Sequence, residues 1–200
     1  MTSRMNLDYN KKNLKNSVKK KLVDTDNSWI LFLDRDGVIN HQNMDGYILT
    51  WNEFVFYDGV LEAMSILKGQ FQHIFIVTNQ RGVGKGHMSV DDLNYIHEQM
   101  QKSIEVAGGK INQVYFCTNV DASSPGRKPN TGMALQAKQE FPAINLAKSI
   151  MVGNSMSDME FGRNIGATTV FLTTTNNTIT DADDRVDFVF PSLIDFAKML

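Results

Sequence analysis

The chain has 200 residues, of which 42% are hydrophobic and 21% are charged, and its formal net charge is -2. This composition is that of an ordinary globular domain and excludes a disordered or fibrous protein. No apolar run approaches the roughly 20 residues needed to cross a bilayer, and the first residues lack the apolar core of a secretory signal. We therefore expect a cytoplasmic protein without a membrane span.

The charge is unevenly distributed along the chain. Residues 1–23 contain seven Lys or Arg and the single acid Asp8, which leaves this segment at about +6 and the remainder at about -8. An acidic body argues against broad nucleic-acid binding, because a phosphate backbone requires a basic surface. The sequence gives no indication of the oligomeric state.

The first 26 residues are predicted to form a basic N-terminal arm, followed by one domain at 27–200. Four apolar residues of the arm would share one face of an amphipathic helix: Leu7, Leu14, Val18 and Leu22. Two interpretations remain open. The arm is either frayed or packed on its own domain, or it contacts a partner, a membrane surface or a nucleic acid.

From Trp29 onward, short apolar runs alternate with longer amphipathic stretches. The apolar runs predict strands at 29–33, 73–78, 113–117, 149–153, 168–172 and 186–190. The amphipathic stretches predict helices at 59–68, 89–106, 131–141 and 157–165. Ser89 and Asp92 form a capping pair at the start of the second helix. This alternation predicts an α/β fold of Rossmann-like type, with a mostly parallel sheet and helices on both faces.

Polar residues follow each of the first four predicted strands. They are Asp34 and Asp36, then Thr78 and Asn79, then Arg127 and Lys128, and then Asn154 and Asp158. One polar residue after a strand is usually part of a turn. Because the carboxyl ends of parallel strands meet at one edge of the sheet, where ligands bind, four such groups predict a functional site.

The chemistry that fits this set is phosphoryl transfer. A carboxylate such as Asp34 can attack phosphorus and form an aspartyl phosphate. Mg²⁺ and the Lys128 ammonium would offset the repulsion between two anions, and the Thr78 hydroxyl would donate to the phosphoryl oxygens. Asp36 shares the site with another carboxylate, which predicts a raised pKa and a role as acid and base.

The order of the motifs points to a known family. DRDGV, VTNQ, RKP and VGNSMSD, each after a strand, resemble the four motifs of the haloacid dehalogenase superfamily of phosphohydrolases. DRDGVIN, GY, FYDGV, VTNQRGVGKG and GRKPNTGM are similar to its branch of heptose bisphosphate and histidinol phosphatases. The resemblance covers residues 29–172. It implies a fold without a large cap domain and a phosphatase of carbohydrate metabolism.

The resemblance also implies metal ligands. Asp34 would be both nucleophile and Mg²⁺ ligand, and Asp36 would contact the metal through its backbone carbonyl while its side chain acts as acid and base. Asn154 and Asp158 would complete the metal site. The usual fourth motif reads Gly-Asp-x-x-x-Asp, so Asn154 is a departure that offers a neutral amide oxygen. Many relatives bind zinc through cysteines and histidines before Arg-Lys-Pro, but Cys117 stands alone here and no zinc is expected.

The remaining matched residues would bind substrate. Thr78, Asn79 and Lys128 would hold the phosphoryl group, and Arg127 would bind phosphate or substrate. Loops at 41–47, 80–88 and 118–127 would select the leaving group. Further candidates for substrate binding in the first two loops are Asp45, Tyr47, Gln80 and Arg81.

We expect the substrate to be a small phosphorylated metabolite, first of all a sugar phosphate such as a heptose bisphosphate. Three alternatives stay open: a histidinol phosphate phosphatase, a polynucleotide 3'-phosphatase, and a non-catalytic phosphate-binding or docking module. The basic arm keeps the polynucleotide alternative open. Asn154 and the amphipathic arm motivate the non-catalytic alternative.

Overall fold

A sheet of six parallel strands forms the centre of the protein. The computed structural model describes residues 26–175 and 183–200, so the predicted arm, apart from Asp26, lies outside the described residues. The strands are β1 (Ile30–Leu33), β2 (His73–Asn79), β3 (Gln113–Cys117), β4 (Ser149–Gly153), β5 (Thr168–Leu172) and β6 (Phe188–Phe190). Their order across the sheet is β3-β2-β1-β4-β5-β6.

Six α-helices and one 3₁₀ helix accompany these strands in the described ranges. The helices are α1 (Val60–Leu67), α2 (Arg81–Gly84), α3 (Val90–Val106), α4 (Gly132–Glu140), α5 (Met156–Asn164) and α6 (Leu193–Ala197), and the 3₁₀ helix is Trp51–Glu53. The predicted capping pair is confirmed, because Ser89 Oγ accepts the Asp92 N–H at 3.1 Å and Asp92 Oδ2 accepts the Ser89 N–H at 2.9 Å. None of these helices combines the length and apolarity needed to span a membrane.

The two faces of the sheet carry separate hydrophobic cores. Successive side chains of a strand point to opposite faces, so Leu31 and Leu33 of β1 pack into the core that contains α1, α3 and α6. Ile30 and Phe32 pack into the core that contains α4 and α5. Every residue of β1 and β4 is buried. The predicted three-layer α/β fold is therefore confirmed, and its two central strands provide a rigid base for the loops that follow them.

Candidate active site

A pocket opens at the carboxyl ends of β1, β2 and β4, where the strand order changes direction between β1 and β4. Open parallel sheets bind ligands at such a point. The pocket has a volume of about 220 Å³. It is lined largely by polar side chains: Asp34, Asp36, Gln42, Asn43, Tyr47, Thr78, Asn79, Gln80, Lys128, Asn154, Ser155, Ser157 and Asp158. The structure thus brings together residues from all four predicted polar clusters.

Asp34 is held at the end of β1 by the sheet itself. Its backbone N–H donates to the Val152 carbonyl of β4 at 3.0 Å, which extends the ladder by one residue. Its Oδ1 accepts the Arg35 backbone N–H at 2.7 Å and lies 2.8 Å from Lys128 Nζ. Burial raises the pKa of Asp34 to about 7, with the Lys128 charge opposing and the Asp158 charge adding to the rise. A cation that enters the pocket would therefore stabilise the ionised form of the Asp34 carboxylate.

Lys128 is buried between two acids. Its Nζ lies 2.8 Å from Asp34 Oδ1 and 2.6 Å from Asp158 Oδ1. Burial alone would lower the pKa of Lys128, but the two carboxylates outweigh it and raise the pKa, so the ammonium stays charged. Asn79 fixes its backbone: the Asn79 amide donates to the Lys128 carbonyl at 3.1 Å and accepts the Lys128 N–H at 3.0 Å.

Two buried atoms in this group lack hydrogen bonds to the described residues. Lys128 Nζ and Asp158 Oδ1 are at ion-pair distance, yet neither makes a contact with the angles of a hydrogen bond. Asp158 Oδ2, by contrast, accepts the backbone N–H and the hydroxyl of Ser155 at 3.0 and 2.6 Å and so caps α5. Buried polar atoms are nearly always paired, and here the ion pairs of Lys128 with Asp34 and Asp158 provide that pairing.

The second acid is held quite differently. Asp36 Oδ1 accepts from Arg35 Nη2 at 2.8 Å and from Asn40 Nδ2 at 2.9 Å, and Asp36 Oδ2 accepts from Gln80 Nε2 at 2.8 Å. Burial favours the neutral carboxyl, but the Arg35 charge and these hydrogen bonds outweigh it and lower the pKa of Asp36. The predicted rise in the pKa of Asp36 is therefore wrong for the free protein. The neighbouring guanidinium and the amide donors dominate over repulsion from Asp34.

Gln80 connects this acid to the hydroxyl of Thr78. Its Nε2 donates to Thr78 Oγ1 at 2.8 Å as well as to Asp36 Oδ2, which uses both amide hydrogens. Because the Thr78 oxygen accepts from Gln80, its own hydrogen is left to donate elsewhere. Thr78 is buried at the end of β2 and lines the pocket. One amide therefore sets the positions of two groups that face the pocket.

Asn154 lies directly above the turn that follows Asp36. Its Nδ2 donates to Thr175 Oγ1 at 2.7 Å and to Gln42 Oε1 at 3.3 Å. Gly37 has φ +89°, and a Cβ there would lie 2.1 Å from Asn154 Nδ2. The amide NH₂ is thus used by the surrounding loops, and the site tolerates no side chain at Gly37.

Basic side chains lie near Tyr47 at the edge of the pocket. The Tyr47 ring stacks on His87 with centroids 5.6 Å apart, and Lys85 Nζ lies 5.6 Å from the Tyr47 ring centroid. Burial, followed by the positive charge of Arg81, lowers the pKa of Arg127. We refer to Arg81, Lys85 and Arg127 as the cationic rim.

Not every predicted residue lines the pocket. Asp45, Arg81 and Arg127 lie outside its lining, so their roles in substrate binding stay predictions. The sequence reasoning missed Gln42, which lines the pocket, and Lys85, which belongs to the rim. Their positions within the first two predicted substrate loops were the available signal.

Several known proteins are similar to this chain in sequence. A family model described as HAD-hydrolase-like matches residues 126–196. The D-glycero-alpha-D-manno-heptose-1,7-bisphosphate 7-phosphatase of Mycobacterium bovis is 38% identical over 140 residues, which are 70% of this chain and 74% of that protein. The D-glycero-beta-D-manno-heptose-1,7-bisphosphate 7-phosphatase of Pasteurella multocida is 32% identical over 178 residues, covering 85% of this chain and 95% of the relative.

Solved structures show the same fold. The D,D-heptose 1,7-bisphosphate phosphatase of B. bronchiseptica, complexed with magnesium and phosphate, superposes with a TM-score of 0.76 at 23% identity, over 85% of this chain and 96% of that one. The enzyme from Burkholderia thailandensis gives a TM-score of 0.62 at 26% identity, over 85% and 96% of the two chains.

The parallel sheet, the acid pair after β1 and the buried lysine define a phosphatase of the haloacid dehalogenase class. The two relatives that match most of the chain identify one branch within this class. The chain belongs to the haloacid dehalogenase branch that contains the D-glycero-D-manno-heptose-1,7-bisphosphate 7-phosphatases. The resemblance inferred from the motifs is thus confirmed, as is the expectation of a phosphatase.

Proposed function

We propose that this phosphatase hydrolyses a phosphomonoester of a small phosphorylated sugar, D-glycero-D-manno-heptose 1,7-bisphosphate, through an aspartyl phosphate on Asp34. The observation that carries the proposal is the set of groups around one pocket: a nucleophile-type carboxylate, a charged lysine 2.8 Å from it, a free Thr78 hydroxyl hydrogen and a second acid. Such a set supplies a nucleophile, charge stabilisation and proton transfer at one phosphorus atom.

The reaction has two steps. A carboxylate oxygen of Asp34 bonds to phosphorus as the bond from phosphorus to the leaving oxygen breaks, and Asp36 gives its proton to that oxygen. Water then attacks phosphorus as the bond from phosphorus to the Asp34 oxygen breaks, Asp36 takes a proton from the water, and inorganic phosphate leaves with the Asp34 carboxylate restored. The free protein lowers the pKa of Asp36. A bound phosphate dianion adds negative charge nearby and works against this lowering, so substrate itself favours the protonated acid.

The oxygen donors of the pocket suit Mg²⁺. Asp34 and Asp158 offer carboxylates, Asp36 a backbone carbonyl and Asn154 an amide oxygen, and the buried Asp158 Oδ1 has no hydrogen bond to the described residues. No group of three or more His, Cys, Asp or Glu side chains that could hold a metal ion occurs in those residues, and the proposed site therefore also uses Asn154 and the Asp36 backbone carbonyl. Bound Mg²⁺ would offset the charges of Asp34 and phosphate.

The cationic rim supports a substrate with a second anionic group. Lys85 lies over the ring of Tyr47, a residue that lines the pocket, and the positive charge of Arg81 acts on Arg127. A phosphoryl group seated between Thr78 and Lys128 would direct the rest of the substrate past this ring. A sugar bisphosphate could then place its distal phosphate among three cations, whereas histidinol phosphate has no second phosphate for them.

The proposal is tested by phosphate release from a panel of substrates, each with Mg²⁺ and with a chelator. The panel contains the heptose bisphosphate, its monophosphates, histidinol phosphate and a 3'-phosphorylated oligonucleotide. We expect Mg²⁺-dependent turnover of the bisphosphate above the others, and Asp34→Asn should lose at least about a thousandfold in kcat. A fully active Asp34→Asn protein, or no turnover of any substrate, would show that the mechanism is wrong.

A further inference from the structure

Arg35 stands between the two acids in the sequence, yet its side chain does not line the pocket. Among the described residues it is the largest of the fully buried side chains. Burial of a charge is costly unless the charge is paired. The guanidinium meets Asp36 Oδ1 through Nη2 at 2.8 Å and Nε at 3.3 Å, and its Cζ lies 5.8 Å from the centroid of the Phe54 ring.

The remaining edge of the guanidinium meets a histidine from a distant part of the chain. Arg35 Nη1 lies 3.0 Å from His97 Nε2 on α3. His97 is 4% exposed, and burial followed by the charge of Arg35 lowers its pKa to about 3. The ring is therefore neutral at neutral pH. Its Nε2 accepts the Arg35 N–H, and its proton resides on Nδ1.

These contacts leave the two oxygens of Asp36 unequal. Oδ1 accepts three N–H groups, two from Arg35 and one from Asn40. Oδ2 accepts one, from Gln80. An oxygen that already accepts three donors has no lone pair left for a proton, whereas Oδ2 retains one in its described surroundings.

We propose that Arg35 and His97 are positioning residues for the acid: His97 holds the guanidinium, and the guanidinium fixes Asp36 Oδ1 so that Oδ2 is presented to the leaving oxygen. This inference rests on the proposed function, in which Asp36 protonates the leaving group. Neither side chain lines the pocket. Helix α3 therefore contributes to the chemistry through a residue outside the pocket lining.

The test compares two substrates that differ in their need for an acid. The leaving group of the heptose bisphosphate is an alkoxide that must be protonated. The leaving group of p-nitrophenyl phosphate is p-nitrophenolate, which is a stable anion. The ratio of the two kcat/KM values reports the acid step, because kcat/KM covers events only through cleavage of the first bond. His97→Leu removes the acceptor of the Arg35 N–H. We expect this variant to lower kcat/KM about tenfold more for the heptose bisphosphate than for p-nitrophenyl phosphate.

Three further variants control the result. His97→Gln keeps an oxygen that can accept the Arg35 N–H and should keep the native ratio of the two values. Arg35→Lys retains the buried charge but cannot meet both partners, and it should shift the ratio even if His97→Leu does not fold. His73→Leu removes a histidine that packs on Phe75 and Phe141 at the amino end of β2, and it should leave the ratio unchanged.

The outcomes separate this inference from the proposed function. Equal losses on both substrates in folded His97→Leu and Arg35→Lys would mean that the pair serves only the fold, and the inference would be overturned. If the native protein turns over neither substrate, or if Asp34→Asn remains active, the proposed function itself fails. If Asp34 is required for turnover but His97→Leu and Arg35→Lys keep the native ratio of kcat/KM values, only the positioning role of Arg35 and His97 is disproved.

Discussion

Two acids one residue apart differ in what surrounds them. Asp34 is buried near Asp158 and has one cation, Lys128, to oppose that charge, so its pKa rises. Burial alone would raise the pKa of Asp36, but the Arg35 charge and the N–H donors on both oxygens outweigh burial, so its pKa falls. The side-chain environment, rather than proximity in the sequence, gives the two carboxylates different protonation behaviour.

His97 makes the stability of the protein depend on pH. The pKa of His97 is about 3 in the folded protein and 6.5 for an unperturbed histidine. Between these values the unfolded chain binds a proton that the folded protein does not, so the free energy of unfolding falls as the pH falls below 6.5. At pH 5 this loss is on the order of 2 kcal/mol.

Urea unfolding of the native protein and His97→Gln measures this loss. Between pH 7.5 and pH 5.0, we expect the unfolding free energy of the native protein to fall by about 2 kcal/mol more than that of the variant. The carboxylates titrate in both proteins and cancel in the comparison. Equal losses of unfolding free energy in the native protein and in His97→Gln would contradict a neutral, buried His97.

At the level of single residues, the sequence could predict which groups converge but not how they are protonated. The convergence of Asp34, Thr78 and Lys128 follows from their positions after parallel strands. The pKa of Asp36 depends instead on an arginine that turns inward. That arginine is held by His97, a residue 62 positions away that no local pattern connects to it.

At the level of elements, buried strands were the most predictable part. The predicted strands at 113–117, 149–153 and 168–172 agree with the structure to the residue, because each is an apolar run bounded by polar residues. β6 begins at Phe188 rather than at residue 186. The helices α2 and α6 were not predicted, since four and five residues are too few to show a helical period.

Asn154 joins two loops, and this linkage predicts the effect of changing it to the usual acid. Asn154→Asp removes the NH₂ group that donates to Gln42 and Thr175, and it adds a negative charge near Asp34 and Asp158. We expect the metal-free variant to be less stable than the native protein by about 1 kcal/mol or more. Mg²⁺ should bind it several-fold more tightly, because a carboxylate neutralises more of the metal charge.

Calorimetric titration with Mg²⁺ and thermal unfolding with and without the ion measure both effects. The added ion should raise the melting temperature of Asn154→Asp more than that of the native protein. Unchanged Mg²⁺ affinity would show that position 154 does not contribute a ligand.

At the level of the whole molecule, the basic charge is concentrated in a segment that precedes the domain. The pocket and both cores are built from residues after Asp26. We propose that residues 1–26 form an arm that is separate from the phosphatase domain. Removal of residues 1–25 should therefore leave kcat/KM for a small phosphorylated sugar within about twofold of the native value.

Turnover of a 3'-phosphorylated oligonucleotide provides the comparison for this truncation. We expect turnover of this oligonucleotide to be weak, and to fall further without the arm if the seven basic residues assist binding to a polyanion. A collapse of activity toward the small sugar would contradict a peripheral arm.

The reciprocal pair of hydrogen bonds between the Asn79 side chain and the Lys128 backbone has a consequence for divergence within the family. The position of the lysine is set from β2, across the sheet, rather than by the length of the segment that leads to it from β3. We therefore expect insertions or deletions at 118–126, the third of the predicted substrate loops, to leave the ammonium group in place. If this loop selects the leaving group as predicted, its length can vary without rebuilding the machinery that acts on phosphorus.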